Sequence, residues 1–447
     1  MIEVYYFNRN GGNKMIIDMN KDRTLLIKLY EEFNKRKPSY KKAYDYYLGK
    51  TDIQVNYKTT DRSNAVIKDN RIKAFVEEEV AYSVGQPVTY VNKSKEINIV
   101  SDIHNSLSDI NTTLDVDLNT AMLIYGEAYE LHYLNNEEFK AKVITPLHGI
   151  AYTNTEGEVE LFLYFYKKML DDKTYVDIID DVAIYHYEDN FSTIIQEVTP
   201  HYFKKCPVAI ARLTNGLEDT IYYTIKSLQD AYELAISDST NEISDTRLAY
   251  LVLQNVSVEE EDLVKMKSNG IMQLEGSNTD AKYLIKNLNS DFITKHKETL
   301  INEMYAVTNH LNNQTDIQSN TSGAMLATRL NCLRIKITVQ QKCLKEAIKK
   351  RIKDLFTYLN IAYSKNYSHK DVDINFTLNL PSNDVEMAQI ISQLNGKLSI
   401  TTGLAQLSFV SNAEEEFEKM IQEQKRINKA LSEDEEDLDK LEDPENE

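Results

Sequence analysis

The sequence predicts an α+β chain whose first half mixes helices with antiparallel strands and whose second half is mainly helical. Three observations carry this. Segments of alternating apolar and polar residues recur between 128 and 187, with the period of half-buried strands. No proline occurs between Pro207 and Pro381 although the chain holds seven, an absence that permits long helices. From Gly323 a helical pattern runs without interruption to about Tyr363. A helix of ~40 residues is ~60 Å long, too long for the interior of an ordinary compact domain, and it suits a large assembly.

In chain order, 21–48 places Leu25, Leu29 and Phe33 on one helical face, meets Pro38, and resumes with Tyr40, Tyr44 and Tyr47, which predicts two helices ended by Gly49. Ile72, Phe75, Val76 and Val80 predict a helix over 70–84, stopped by Gly85 in a C-cap role with Pro87 beyond. A strand over 88–91 follows. The stretch 117–125 is a helix that Gly126 turns into a strand over 128–133. Strands are expected at 142–145, 159–166, 175–179, 182–187 and 206–213. Ile221, Ile225, Leu228, Tyr232 and Ala235 give a helix over 217–241. A small insert comes next: a strand at 248–253, a helix opened by the capping box Ser257-x-x-Glu260 and closed near Gly270, and strands at 271–274 and 281–285. A helix over 291–311 returns from it.

At 447 residues, 42% hydrophobic and 27% charged, the chain exceeds the ~250 residues at which single cores stop growing, so two to four domains are expected. No run approaches the ~18 consecutive apolar residues of a membrane span, and the first residues lack the apolar stretch of a signal peptide, which points to the cytoplasm and to no membrane partner. Cys206, Cys332 and Cys343 form no C-x-x-C pair, and Cys332 and Cys343 read as small core residues of one helix. The formal charge of -19 argues against gripping nucleic acid over the whole surface. About half of it lies in 414–447, where fifteen acidic residues face five basic ones. That composition reads as a solvated, partly disordered tail over 432–447.

Enzyme chemistry finds no footing. Phosphate loop, dinucleotide turn, zinc-protease helix and nucleophile elbow are missing, the eight histidines stand singly, and Asp115 and Asp117 form only a lone D-x-D pair. No catalytic residue, cofactor or metal is assigned. The informative part is the loop 312–323 (NNQTDIQSNTSG) and the helix after it. Leu326, Leu330, Leu333, Ile337, Leu344, Ile348, Ile352, Leu355 and Leu359 form one continuous apolar stripe, with Gln341 interrupting. Its other faces carry Arg329, Arg334, Lys336, Lys342, Lys345, Lys349, Lys350, Arg351 and Lys353 against Glu346 and Asp354 only. Such a face is solvated, or aimed at phosphates or at an acidic neighbour.

Six segments in order, KAYDYYLGK, NRIKAFVEEEVAYSVGQPVTY, LIYGEAYELHYLNNEEFKAKVITP, CPVAIARLTN, NTSGAMLATRLNCLRIK and NLPSNDVEMAQIISQLNGKLS, resemble those of the portal proteins of tailed bacteriophages, the class common in long-tailed phages of Gram-positive hosts. The resemblance covers about residues 25–425. It implies a mainly helical portal fold: a wing over 1–216, stem helices over 217–241 and 291–311 around a clip at 242–290, a tunnel loop at 312–323, a long helix and wing wall over 324–377, and a crown with an acidic tail over 378–447. The clip is short for the family and the tail unusually acidic.

The resemblance further implies a ring, usually of twelve copies, at one capsid vertex of the virion, assembled in the host cytoplasm. Double-stranded DNA would be packaged and ejected through this head–tail connector. The terminase large subunit, a head-completion adaptor, and the major capsid and scaffolding proteins would be its partners. Gln314, Thr315, Asp316, Gln318, Ser319, Asn320, Thr321 and Ser322 would face the channel, where a nearly uncharged loop makes weak hydrogen bonds that let DNA slide. Glu259, Glu260, Glu261, Lys265 and Lys267 are the docking candidates of the clip. Arg329, Arg334, Lys342, Lys345 and Lys349 are expected at a seam between subunits or on the channel wall. The competing readings are a non-conducting helical scaffold and a DNA-processing enzyme.

Overall fold

The computed structural model describes residues 19–439, apart from 95, 97, 189–190, 192, 247–249, 256–260, 262–263, 265–277, 285–289, 313–322, 379–383, 395–396, 405–406, 408–409 and 411–412. Helix α1 (Met19–Tyr47) runs in one piece with Pro38 inside it, where the sequence predicts a break. Proline removes one intrahelical bond, and packing of both halves outweighs that loss. Leu26, Leu29 and Phe33 sit on one apolar core, Phe33 stacking on Phe165 at 4.5 Å, and Tyr46 sits in another.

Past the short α2 (Ile53–Asn56), an extended segment leads to α3 (Arg71–Val84), which Asn70 caps by accepting from Lys73 N. Gly85 stands at its C-cap with φ -65, so its conformational freedom is not used there. Then follow β1 (Thr89–Asn92), α4 (Ile99–Leu107), α5 (Leu114–Tyr125), β2 (Glu127–Asn135) and β3 (Glu138–Ile144). A meander of β4 (Gly149–Thr153), β5 (Val159–Lys167), β6 (Thr174–Ile179), β7 (Ala183–Glu188) and β8 (Thr199–Pro200) precedes β9 (Val208–Arg212). Strands β4 to β8 form an antiparallel sheet in sequence order, and β3, β2 and β9 form a second. One face of the larger sheet meets α1; its other face meets the smaller sheet through Phe162, Ile179, Tyr129 and Val208. The sequence reading missed α4, β4 and β8, which are short.

The second half is helical as expected. Helix α6 (Ile221–Thr246) lies against α7 (Ser290–Thr308), and between them β10 (Tyr250–Gln254) pairs antiparallel with β11 (Asp280–Leu284). The strand at 271–274 and most of the capping-box helix fall on residues outside those described; within that helix Glu261 and Val264 are described, and both are helical. The long helix α8 (Gly323–Ala362) is 40 residues, as its periodicity predicts. It is followed by β12 (Val372–Asn375), which returns to pair with β1, and by α9 (Asp384–Gln393), α10 (Ile400–Leu404) and α11 (Ala413–Asp439). The acidic tail is thus helix to Asp439, where the sequence suggests partial disorder from 432. Cys206 is buried and Cys343 half-buried, but Cys332 is exposed, off the apolar stripe, so the expectation of two core cysteines on α8 fails for it.

The segment before α3 is fastened to α6 by side chains. Asp69 N donates to Glu233 Oε1 (3.1 Å), Ile67 N to Ser237 Oγ (2.9 Å), Ala65 N to Asn241 Oδ1 (2.7 Å) and Ser63 N to Asp245 Oδ1 (3.2 Å). Two extended residues advance ~6.6 Å and four helical residues ~6 Å, so every second amide meets every fourth side chain. The polar stripe of α6 therefore substitutes for a neighbouring strand.

Gly126 closes α5 in the left-handed region, at φ 80. A Cβ there would lie 2.2 Å from the carbonyl carbon of Gly216, at the entry to α6. Conformation and close approach both demand glycine. Gly126→Ala is expected to lower stability by at least about 3 kcal/mol, read as an earlier urea midpoint; a loss below about 1 kcal/mol would show that the contact yields freely.

Candidate functional site

The long helix is held to the β2–β3–β9 sheet by a buried cluster of charges. Arg351 donates to both carboxylate oxygens of Glu130, at 2.6 and 2.7 Å, and lies 2.7 Å from Asp115. His132 Nδ1 is 2.7 Å from Asp354 and Nε2 is 3.0 Å from Glu130. Lys350 donates to Asp354 at 2.6 Å. Glu130 and His132 have no exposed surface, Asp354 is 1% exposed and Arg351 2%. Burial opposes the charge on Glu130, but Arg351 outweighs it and lowers the carboxyl to about 2. Burial likewise opposes charge on His132, and its bonds to Asp354 and Glu130 outweigh that and raise it.

The basic face of α8 is therefore divided. Arg351 and Lys350 are spent inside the subunit, and Lys336 meets Glu79 at 2.6 Å. Among the five residues expected at a seam, Lys345 pairs with Asp373 (2.8 Å) and Lys349 with Glu346 (2.7 Å). Lys345 and Lys93 hold the Asp373 carboxyl well below the usual range. Arg334 and Lys342 are exposed, and Ile335 and Val339, 58% and 48% exposed, lie between them on the same side. The side chain of Arg329 is outside the described residues. Lys342 and Lys345 line a cleft of about 640 Å³ shared with β1, β12 and the start of α11, where Glu414 also contributes.

The channel-loop candidates Gln314 to Ser322 all lie outside the described residues, as do Glu259, Glu260, Lys265 and Lys267; Glu261 is exposed. Asp115 serves Arg351 and Asp117 accepts from Thr113 Oγ1 (2.8 Å). Sequence reading missed Glu130, His132, Glu79 and His310. Glu130 and His132 share one face of β2 and stand in a strand otherwise apolar on that side, a signal that was available. Arg351 falls between Ile348 and Leu355 on the apolar stripe itself.

A family model described as "Phage portal protein, SPP1 Gp6-like" matches residues 27–430. A portal protein of Clostridium phage phiCD119 is 23% identical over 428 positions, which cover 86% of this chain and 92% of that protein. The portal protein of Bacillus phage SPP1 is 24% identical over 463 aligned positions, 92% of this chain and 89% of that one. Among solved structures, a chain in the neck of an empty GTA particle is 12% identical with a TM-score of 0.49, over 75% of this chain and 88% of that one.

The charge cluster sets a pH window. The raised His132 stabilises fully below its ordinary value of ~6.5 and loses that contribution as pH climbs through its folded value; the lowered Glu130 contributes above ~4.3 and loses it as pH falls toward about 2. His132→Gln should flatten the alkaline side of a plot of melting temperature against pH and leave the acid side in place. An unchanged alkaline slope would assign that side to another group. Arg351→Met, which strands Glu130 in the core, should cost about 3–5 kcal/mol by denaturant titration.

Proposed function

The chain belongs to the SPP1 Gp6-like family of phage portal proteins, and on that premise we propose that copies of it close a ring, twelve being the family's usual number, at one vertex of a phage capsid. Double-stranded DNA enters and leaves along the ring axis. The observation that carries this reading is the extent of the match, residues 27–430 of 447. In this reading 1–216 and 324–377 form the wing and upper channel wall, 217–241 and 291–311, largely within α6 and α7, the stem, 242–290 the clip, 312–323 the tunnel loop, and the segment from 378 the crown.

The physics is consistent with each role. A conducting ring works best when its constriction does not neutralise phosphates, since every neutralised phosphate adds affinity and slows sliding. The loop 313–322 has Asp316 as its only charge. A ring closes through heterologous contacts, each subunit presenting different surfaces to its two neighbours. Arg334, Ile335, Val339 and Lys342 offer such a surface, basic and partly apolar, toward an acidic neighbouring face. Because Lys336, Lys345, Lys349, Lys350, Arg351 and Lys353 of α8 are already paired within the subunit, the seam reading is favoured over a grip on DNA. The ring is structural; a separate terminase supplies ATP hydrolysis and docks on the clip, where Glu259, Glu260, Glu261, Lys265 and Lys267 are the candidates, and an adaptor and capsid and scaffolding proteins complete the vertex.

Negative-stain images of the purified chain should show rings with a central hole; rods or small closed oligomers would sink the proposal. Deleting Thr315 to Asn320 should leave ring assembly intact while DNA packaging or retention falls, and normal packaging by such rings would remove the loop from the channel.

A further inference from the structure

Helix α3, the end of α7 and the long helix α8 meet in a polar cluster that is buried except for Lys336, whose side chain is 24% exposed. After Thr308 the chain turns through Asn309, at φ 64, and His310 N donates to Tyr305 O at 3.0 Å, a left-handed helix stop. The His310 ring lies on Phe75 of α3, with centroids 4.4 Å apart. Lys336 of α8 places its ammonium 2.6 Å from Glu79 Oε1 and also donates to Thr308 O at 3.2 Å, on the last turn of α7. Gln340 Nε2 donates to Glu79 Oε2 at 2.8 Å. Glu79 and Thr308 have no exposed surface, and His310 is 5% exposed. One ammonium thus joins three elements, directly before residue 313.

The cluster is only partly satisfied. Gln340 Oε1 has no partner at hydrogen-bonding geometry among the described residues, Glu79 Oε1 meets Lys336 as an ion pair without that geometry, and the His310 ring nitrogens face only the backbone of Phe75 and Thr308, off ideal geometry. His310 Nε2 stands 3.8 Å from Glu79 Oε1, beyond hydrogen-bond range. Burial and the Lys336 charge push His310 down to about 3, against the backbone of Phe75 and Thr308, so the ring is neutral and is held by its stack on Phe75 and by that backbone rather than as a cation. Buried polar groups left this way cost stability, and apolar side chains of similar size would serve a purely structural contact better. Their geometry instead fixes direction: an ion pair with two further hydrogen bonds tolerates little displacement, whereas apolar contacts slide.

We propose that Glu79, Lys336 and His310 are positioning residues that hold residues 308–312, the first foot of the 313–322 segment, at one place relative to α3 and the long helix. This rests on reading 313–322 as the channel segment and adds how that segment is aimed. With Glu79 on α3 and Lys336 on α8, the foot is tied to the body of the subunit and not only to α6, the partner helix of α7.

The test is hydrogen–deuterium exchange on the full-length chain, following peptides over 302–312 and, as a control, 344–359. Lys336→Met should speed exchange over 302–312 at least tenfold and leave 344–359 unchanged. The double variant Glu79→Gln/Lys336→Met removes both charges of the pair and leaves no buried carboxylate unpaired, so its melting temperature should return toward that of the parent while exchange at the foot stays fast. Slow exchange at the foot in the double variant would make the pair merely structural and overturn the proposal, as would an unchanged foot in Lys336→Met. Should the single variant fail to fold, the double variant decides alone. Exchange reads the clamp without DNA, so a failure here and a failure of the loop deletion to impair packaging are separate outcomes.

Discussion

Arg351 enters the core beside Glu130 and Asp115, and the placement of the long helix follows from that contact. The apolar stripe supplies most of the stabilisation: Leu344, Ile348, Ile352, Leu355 and Leu359 are 5% exposed or less, at about 1.5–3 kcal/mol for each fully buried side chain. Leucine and isoleucine are interchangeable along such a stripe, so it does not by itself choose one register over the next turn. The charges do. A helix shifted by one turn would bury Arg351 away from Glu130 and part Asp354 from His132, and an uncompensated buried charge costs several kcal/mol. The ion cluster need add nothing to net stability to reject every alternative register. Everything attached to α8, from the foot of the 313–322 segment to the strand that returns to β1, takes its position from this choice.

Much of the architecture was legible in the sequence where the signal was long or chemically forced. The 40 residues of α8 repeat one period many times, and Gly126 ends α5 because no other residue fits there. What escaped was short or set by distant partners. Strand β12 has four residues and is paired only with β1, some 280 positions earlier, beyond the reach of local pattern. Pro38 read as a break because local rules price its lost bond and not the two cores that hold the helix on either side. The basic face of α8 misled in part, since composition counts cations without saying where they point. Arg351 lay on the apolar stripe by its spacing and still read as one charge among nine. For the candidate site, the long helix was legible from its period; the contact of Glu79 with Lys336 was invisible, because the two are 257 positions apart and meet only in three dimensions.

The polar stripe of α6 shows the same economy in another form. Gln229, Glu233, Ser237 and Asn241 are 6% exposed or less, on a helix whose apolar residues alone predicted it. They provide hydrogen-bond acceptors and donors to a chain segment that has no strand beside it. An extended backbone running along a helix would otherwise leave its inward amides unpaired. The result is a helix tied to the rest of the chain by directional bonds on one side and by α7 on another, with little freedom to roll about its axis.

Strands β2, β3 and β9 are complete once Arg212 has been made, yet the faces of α3, α5 and β2 that α8 covers remain bare until synthesis has passed Ala362. At ~5–20 residues per second, the intervening stretch, on the order of 150 residues, takes roughly 8–30 s. Through that delay the waiting surface displays Glu130, His132, Asp115 and Glu79 among its apolar residues, fully hydrated and mostly anionic. A bare apolar face exposed for that long on many nascent copies invites them to stick to one another before they are finished. Like charge at the centre of the later contact opposes such sticking, and it is buried against cations only once Lys336 and Arg351 of the same chain have been made.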